Sequence, residues 1–411
     1  MKKILTMAVL GGLFAASTLQ AQVNIYIAGS TAFRANVFRA IQYAYDGHAS
    51  TTIMPPNAGT GTGTYTATGT MTSLFGGQTV TIYCNFNGSV QGLNDLKNNT
   101  SLTFTNAGGG GTVSAVPTIT FSDVDQSSTL ASGVPVTETH VAVLPFVYCR
   151  NYYCPTTVTN ITTKQLGSLW ANGLLKLSMF TGNSADDTAN IYVTGRNKDS
   201  GTRVTASADA LYTGAHKYWG FNNAAPTVWA LMTDLLTGAI YGTGYSSGGN
   251  EATALTSQNA TVNSVGVGCV GYLGLNDALT VAGSNTGGAN AKPNGGGNCS
   301  IIAYDGFMPF NNYTISTSGS PTQVPAYPDF TPIIKGQYSF WSYECIEMLN
   351  THTAGDNTYS YYTNMVSGLD YDLSQAEANN GTSQTYGPVT AIRLSEMKVS
   401  RPSVGYYITP N

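Results

Sequence analysis

Residues 194–212 read TGRNKDSGTRVTASADALY. Only 9% of the chain is charged, yet Arg196 stands just ahead of Ser200, Gly201 and Thr202. Val204, Ala208 and Leu211 recur at helical spacing, so the Ser-Gly-Thr triplet forms the amino-terminal edge of a helix. Such an edge carries unsatisfied N–H groups and a partial positive charge, which together attract an anion. Arg196 adds a rigid fork of donors, the hydroxyls add neutral ones, and Gly201 lets the backbone approach closely. An ordinary Ser/Thr helix cap would look the same in isolation.

The segment is not isolated. The run VNIYIA at residues 23–28 is a strand that releases Gly29, Ser30 and Thr31 into a helix with Phe33, Val37, Ala40, Ile41 and Ala44 on one face. TIYCNF at 81–86 is followed by a Gly88-Ser89 turn and a helix carrying Val90, Leu93 and Leu96. TITF at 118–121 releases Ser122, Asp123 and Asp125 into a loop. In an open α/β sheet such loops gather at the carboxyl ends of the strands, where ligands bind.

The remainder of the 411 residues sets the context and allows two domains. Lys2 and Lys3, an apolar run from Ile4 to Ala16 and a short polar stretch to Ala21 form a signal peptide, residues 1–21. No cysteine stands at the cleavage region, so no lipid anchor is expected, and the apolar run is too short to span a membrane. The protein is expected to be periplasmic or secreted. The net charge of −4 becomes more acidic when the two lysines leave, which argues against nucleic acid and anionic membrane as partners. Six cysteines in an exported chain favour disulfides: Cys149 with Cys154, Cys269 with Cys299, and Cys84 with Cys345 if they share a lobe. Zinc is disfavoured because the histidines lie far from the cysteines in sequence and no CxxC occurs, so no metal or cofactor is expected. The segments 57–78 and 106–114 read as inserted, exposed hairpins.

The ordered set GSTAF, NGSVQG, FSDVD and RNKDSGTR resembles the periplasmic phosphate-binding proteins of ABC transporters. NITTKQLGSLWANG, GYSSGGNEATAL, VGVGCVGYLGLNDAL and IIAYDGFMP with FTPIIKGQYSFW resemble further family segments in order, so the likeness runs from about Val23 to Cys345. It implies an α/β, two-lobed type 2 periplasmic-binding-protein fold, with two mixed sheets flanked by helices and joined by two crossing strands. The implied division is residues 22–138 with 276–411 in one lobe and 139–275 in the other, HVAVLPFVY and CVGYLGL making the crossings. The implied ligand is inorganic phosphate, the implied partners are ABC permease subunits, and the implied state is a monomer. Matching positions are Ser30, Thr31, Ala32 and Phe33 in the first loop, with either Ser30 or Thr31 supplying the hydroxyl. Ser89 matches the second, Asp123 the third with Asp125 as alternate, and Arg196, Ser200, Gly201 and Thr202 the fourth.

The chemistry fits that reading. Phosphate near neutral pH keeps a proton and sulfate keeps none, so a buried carboxylate at Asp123 accepts a hydrogen bond from one and repels the other. Arg196 supplies a charge-assisted fork. Two rival readings remain. One is a surface protein on the same fold with an altered site. The other is a hydrolase built on Gly244-Tyr-Ser-Ser-Gly248 with Ser246 as nucleophile, but no histidine offers an obvious partner and no catalytic residue is expected. His140 and the aromatics of QYSFWSYE read as packing residues.

Overall fold

The computed structural model describes residues 22–59, 61–129, 131–151, 153–222, 225–232, 244–257, 261–262, 265–281, 299–313, 328–378 and 390–411. The expected signal peptide lies outside the described residues, as does part of the region between the crossings and the carboxyl-terminal segments. The chain opens with β1 (Val23–Gly29) and α1 (Arg34–Ala44), where the strand-loop-helix pattern placed them. It continues through β2 (Thr52–Met54), β3 (Thr64–Thr70), the single turn α2 (Thr72–Phe75), β4 (Thr79–Asn85) and α3 (Ser89–Asn98). The hairpin β5 (Leu102–Thr105) and β6 (Thr112–Ala115) leads to β7 (Ile119–Ser122) and the 15-residue β8 (Val136–Arg150).

Next come β9 (Asn160–Ile161), α4 (Thr163–Asn172), β10 (Leu174–Lys176), α5 (Ser178–Thr181), β11 (Asn190–Val193) and α6 (Gly201–Asp209). The hairpin β12 (Trp219–Asn222) and β13 (Ala225–Leu231) precedes α7 (Gly248–Leu255), the short pair β14 (Thr261–Val262) and β15 (Val265–Gly266), β16 (Gly268–Gly274) and α8 (Leu275–Val281). The chain finishes with β17 (Ser300–Tyr304), α9 (Thr331–Ile334), β18 (Trp341–Leu349), α10 (Asn357–Ala378), β19 (Val399–Ser400) and β20 (Thr409–Pro410). The architecture is mixed α/β, a large mixed sheet flanked by helices.

That sheet holds 12 strands, with a main path β10-β11-β16-β8-β18-β7-β1-β4-β3-β2 and with β17 and β9 off it. The expected pair of sheets thus meets along β8. Its amino-terminal part pairs with β18 and its carboxyl end, Phe146 to Arg150, pairs with β16. β17 pairs with the same end, Ser300 opposite Arg150.

Strand direction follows from the pairings. β1 is parallel to β4 and β7, and β18 is antiparallel to both β7 and β8, so β1, β4 and β7 run the same way as β8. β16 is antiparallel to β8 and parallel to β11, so β11 and β16 run the opposite way. The carboxyl ends of the two groups therefore face each other across the middle of β8. Loops 30–33, 86–88 and 123–125 meet loop 194–200 because of this opposed wiring.

The apolar faces close around the sheet. Ile25, Ile27, Ile82 and Ile119 pack with α1, and Trp170 and Trp341 are fully buried. α4 is capped reciprocally by Thr162 and Gln165 and stops at Gly173. One expectation fails here. The segment 57–78 is not an exposed appendage: β3 extends the sheet beside β4, and Tyr65 and Ala67 are buried in the core. Its Thr-rich alternation puts small polar residues on one face and apolar ones on the other, as an internal strand requires.

The disulfide expectations also need correction. All six cysteines are buried free thiols. Cys149 and Cys154 are close in sequence, but Cys149 joins the apolar cluster of Cys269 and Cys299, whereas Cys154 packs with Val158, Ile161 and Leu166 in the other. Cys149 lies on β8 and Cys154 in the bend beyond its end, so closeness in sequence does not bring the sulfurs into one cluster. Cys269 and Cys299 share a cluster without being bridged, as do Cys84 and Cys345. Peptide mapping without reductant is expected to yield no Cys149–Cys154 cross-link; recovering that peptide from native protein would refute this packing.

Candidate anion site between facing strand ends

Four strand-to-helix loops meet where the opposed strands end. Asp123, at the end of β7, is 1% exposed. Its Oδ1 accepts from the Ser89 hydroxyl at the start of α3, and its Oδ2 accepts from Thr202 Oγ1 of α6 at 2.9 Å. The Asp123 N–H in turn donates to Ser89 Oγ at 3.3 Å. Gly201 is required by this packing, because a Cβ there would fall 1.7 Å from Asp123 Oδ1. Burial pushes the Asp123 carboxyl up, against the opposing pull of Ser89, Thr202 and Arg196.

Arg196 is 2% exposed and reaches across to the first loop. Its Nη2 donates to Thr31 Oγ1 at 3.4 Å and to the Ser246 carbonyl at 3.1 Å, while Nε donates to the Tyr245 carbonyl at 3.1 Å. Its own N–H donates to the Tyr272 hydroxyl at 3.1 Å. The Gly-x-Ser-x-Gly stretch thus serves as a cradle for the guanidinium. Tyr245 forms a parallel bridge with Arg196, and Gly244, at φ +126°, has no room for a Cβ, which would lie 2.4 Å from the Arg196 carbonyl. Ser246 Oγ accepts from Asn250, and the hydrogen bonds found for His48, His140, His216 and His352 go elsewhere.

The first loop divides its work. Ser30 Oγ accepts from the Phe33 N–H at 3.2 Å and donates to Glu344 at 3.4 Å, so this hydroxyl is turned inward. The Thr31 hydroxyl is the one facing Arg196. Ala32 packs against Gly274 at the end of β16, and Phe33 is buried at the start of α1. Ser200 caps α6, accepting from the Arg203 N–H at 3.3 Å. Asp125 turns away from this cluster and meets His140 at 2.7 Å.

Sequence reasoning missed three residues here. Arg34, the first residue of α1, donates through Nη2 to Asp277 Oδ1 of α8 at 2.7 Å, both largely buried, and through Nη1 to the Thr31 carbonyl. Asp277 also lies against Gly248 at the start of α7. Glu251 is fully buried and accepts from the Tyr272 N–H at 3.0 Å. An arginine directly after a loop already read as anion-binding was a usable signal. Asp277 and Glu251 offered none beyond their charge in an apolar run.

Burial pushes the Glu251 carboxyl up to about 8, although Arg196 and the Tyr272 N–H pull it down. Between its ordinary value of 4.5 and about 8 the folded chain holds this proton and the unfolded chain does not. Its stabilisation is complete below the ordinary value and is lost as pH rises through the folded one. Glu251→Gln is therefore expected to flatten the decline of stability across that window. Urea unfolding at both ends of the window checks this; an unchanged slope in the variant would assign the decline to other groups.

No family model matches the sequence, and no curated protein matches it. Among solved structures, the chain is similar to a Clostridium perfringens protein assigned as a phosphate ABC transporter substrate-binding protein and solved with bound phosphate. Identity is 12% and the TM-score 0.44, covering 89% of this chain and 98% of that one. It is also similar to an ABC-type phosphate transport receptor from Vibrio cholerae, at 13% identity and TM-score 0.43, covering 89% and 99%. A phosphate-binding protein from Stenotrophomonas maltophilia matches at 11% identity and TM-score 0.39, covering 91% of each chain.

Proposed function

We propose that this chain is an exported solute-binding protein that captures inorganic phosphate where the facing strand ends meet. The observation that carries the reading is the pairing, in one buried cluster, of a guanidinium with a carboxylate held by two hydroxyls. Arg196 supplies the charge that draws the anion. Asp123 accepts the proton that phosphate retains and sulfate lacks. Thr31 and the N–H groups opening α1, α3 and α6 donate to the remaining oxygens without adding net charge, and Ser89 and Thr202 join them only by turning their single O–H away from Asp123, so an acidic protein can hold a dianion. Ser200 and Gly201 shape the α6 end of the site, Ser30, Ala32 and Phe33 the α1 end.

The two-lobe division belongs to the same proposal. β8 and β16 make the crossings, and opening about them admits the ligand by breaking Asp123–Thr202 and Thr31–Arg196. Delivery to an ABC permease is the proposed use, with capture as a monomer outside the inner membrane. Among the described residues no helix is long and apolar enough to cross a membrane.

Calorimetry or thermal shift with phosphate, sulfate and a panel of other oxyanions tests the reading on the purified chain. Phosphate is expected to bind and to raise Tm more than sulfate does. A second reading is favoured by the same contacts seen differently. Because Asp123 and Arg196 already bond protein groups, the cluster could serve as a structural clamp on a surface protein. Absence of binding to every oxyanion would select it.

A further inference from the structure

A second polar cluster lies beside the anion site, and it contains the histidine that sequence analysis set down to packing. In the β8–β18 ladder His140 stands directly opposite Cys345, and Glu138 directly opposite Glu347. The loop after β7 folds back so that Asp125 joins them. One ligand atom from each of Asp125, Glu138, His140 and Cys345 lies within 4.8 Å of all the others. We propose that these four residues form a divalent transition-metal site, with zinc as the ion that suits them.

The donor set carries the argument. One thiolate, one imidazole and two carboxylates are zinc ligands, and tetrahedral zinc at its usual bond lengths separates them by roughly 3.3–3.8 Å. The observed span needs only a small contraction. His140 Nε2 lies 2.7 Å from Asp125 Oδ1, and Cys345 Sγ lies 4.0 Å from the same oxygen. An ion between them opens the first distance and closes the second. His140 is stacked on Tyr343 with ring centroids 4.2 Å apart, which fixes its plane. Glu138 Oε2 accepts from the Gln126 N–H at 2.6 Å, tying the loop to β8.

A second observation points the same way. Asp125 Oδ2 and both carboxylate oxygens of the fully buried Glu347 have no hydrogen-bond partner. Half-buried Glu138 directly opposite buried Glu347, with Asp125 beside them, sets three acids against one another. Buried charges of this kind are ordinarily paired or bound to metal. The His140 side chain is 34% exposed, which leaves the ion a path in from solvent. An ion held here fastens loop 123–126 to the β8–β18 ladder, two residues from Asp123. The inference rests on this cluster and stands apart from the anion reading.

The test takes the whole purified chain, strips it with chelator and adds zinc or cobalt. About one zinc per chain is expected by elemental analysis after dialysis, with a rise in Tm. Cobalt is expected to show a thiolate charge-transfer band that Cys345→Ser abolishes, which separates this thiol from the other five cysteines. His140→Ala is expected to weaken zinc at least tenfold while keeping the wild-type circular dichroism. Should Cys345→Ser fail to fold, wild-type stoichiometry and His140→Ala decide the matter. Substoichiometric zinc in the wild type, or unchanged affinity in His140→Ala, would overturn the site. Phosphate binding is measured separately, so either site can fail alone.

Discussion

Arg196→Ala is expected to weaken binding of phosphate and sulfate alike by roughly 30- to several-thousand-fold, about 2–5 kcal/mol. The guanidinium is buried, stands at the α6–α7 side of the site and reaches Thr31 on the other. In the proposed site it is the charge common to any bound oxyanion. Its loss also strands the Tyr245 and Ser246 carbonyls that accept from it, so part of the measured cost is reorganisation of that loop. Calorimetry with both anions gives the size, and circular dichroism shows whether the fold persists. A variant that folds and keeps wild-type affinity for phosphate would remove Arg196 from the site and the anion reading with it.

Asp123→Asn is expected to change preference more than affinity. The carboxylate accepts from Ser89 and Thr202, both of which rotate to suit an amide, so the packing has room for asparagine. The amide then presents a donor where phosphate needs an acceptor, and phosphate loses affinity or at best keeps it. Sulfate loses the repulsion of a buried negative charge and gains. The ratio of the two affinities is expected to fall by at least tenfold, the order expected for losing a charge-assisted hydrogen bond. Competition calorimetry reads this ratio directly. An unchanged ratio would pass the discriminating role to Glu251 or Asp277, the other buried acids near Arg196, since Asp125 points to His140.

Much of the buried polar cluster was readable because its signals are local. A strand that ends in Gly-Ser-Thr, or a helix that begins Ser-Gly-Thr, is written in consecutive residues. Periodicity then tells which end of which element the hydroxyls occupy. Ser89, Asp123, Arg196 and Thr202 could be named that way. Their meeting could not be derived from spacing; it follows from β1, β4 and β7 running against β11 and β16, which is a property of strand pairing.

The misreadings share one cause. Cys149 and Cys154 are close in sequence, yet they pack in different clusters because the chain leaves β8 at Arg150 and Cys154 turns into the other core. The Thr-rich run 64–70 resembles a surface hairpin until β4 is found beside it. Arg34 and Asp277 bond across 243 positions, and nothing near either residue announces the other. His140 and Cys345 lie far apart in sequence, yet the β8–β18 register makes them direct opposites. By itself the sequence determined which elements form and which polar groups stand at their ends, since backbone preference and periodicity act over a few residues. Only the tertiary structure decided which of those ends face each other and which side chains share a buried face. That is because register and strand direction are set by burying many apolar side chains at once, a constraint that leaves no local trace.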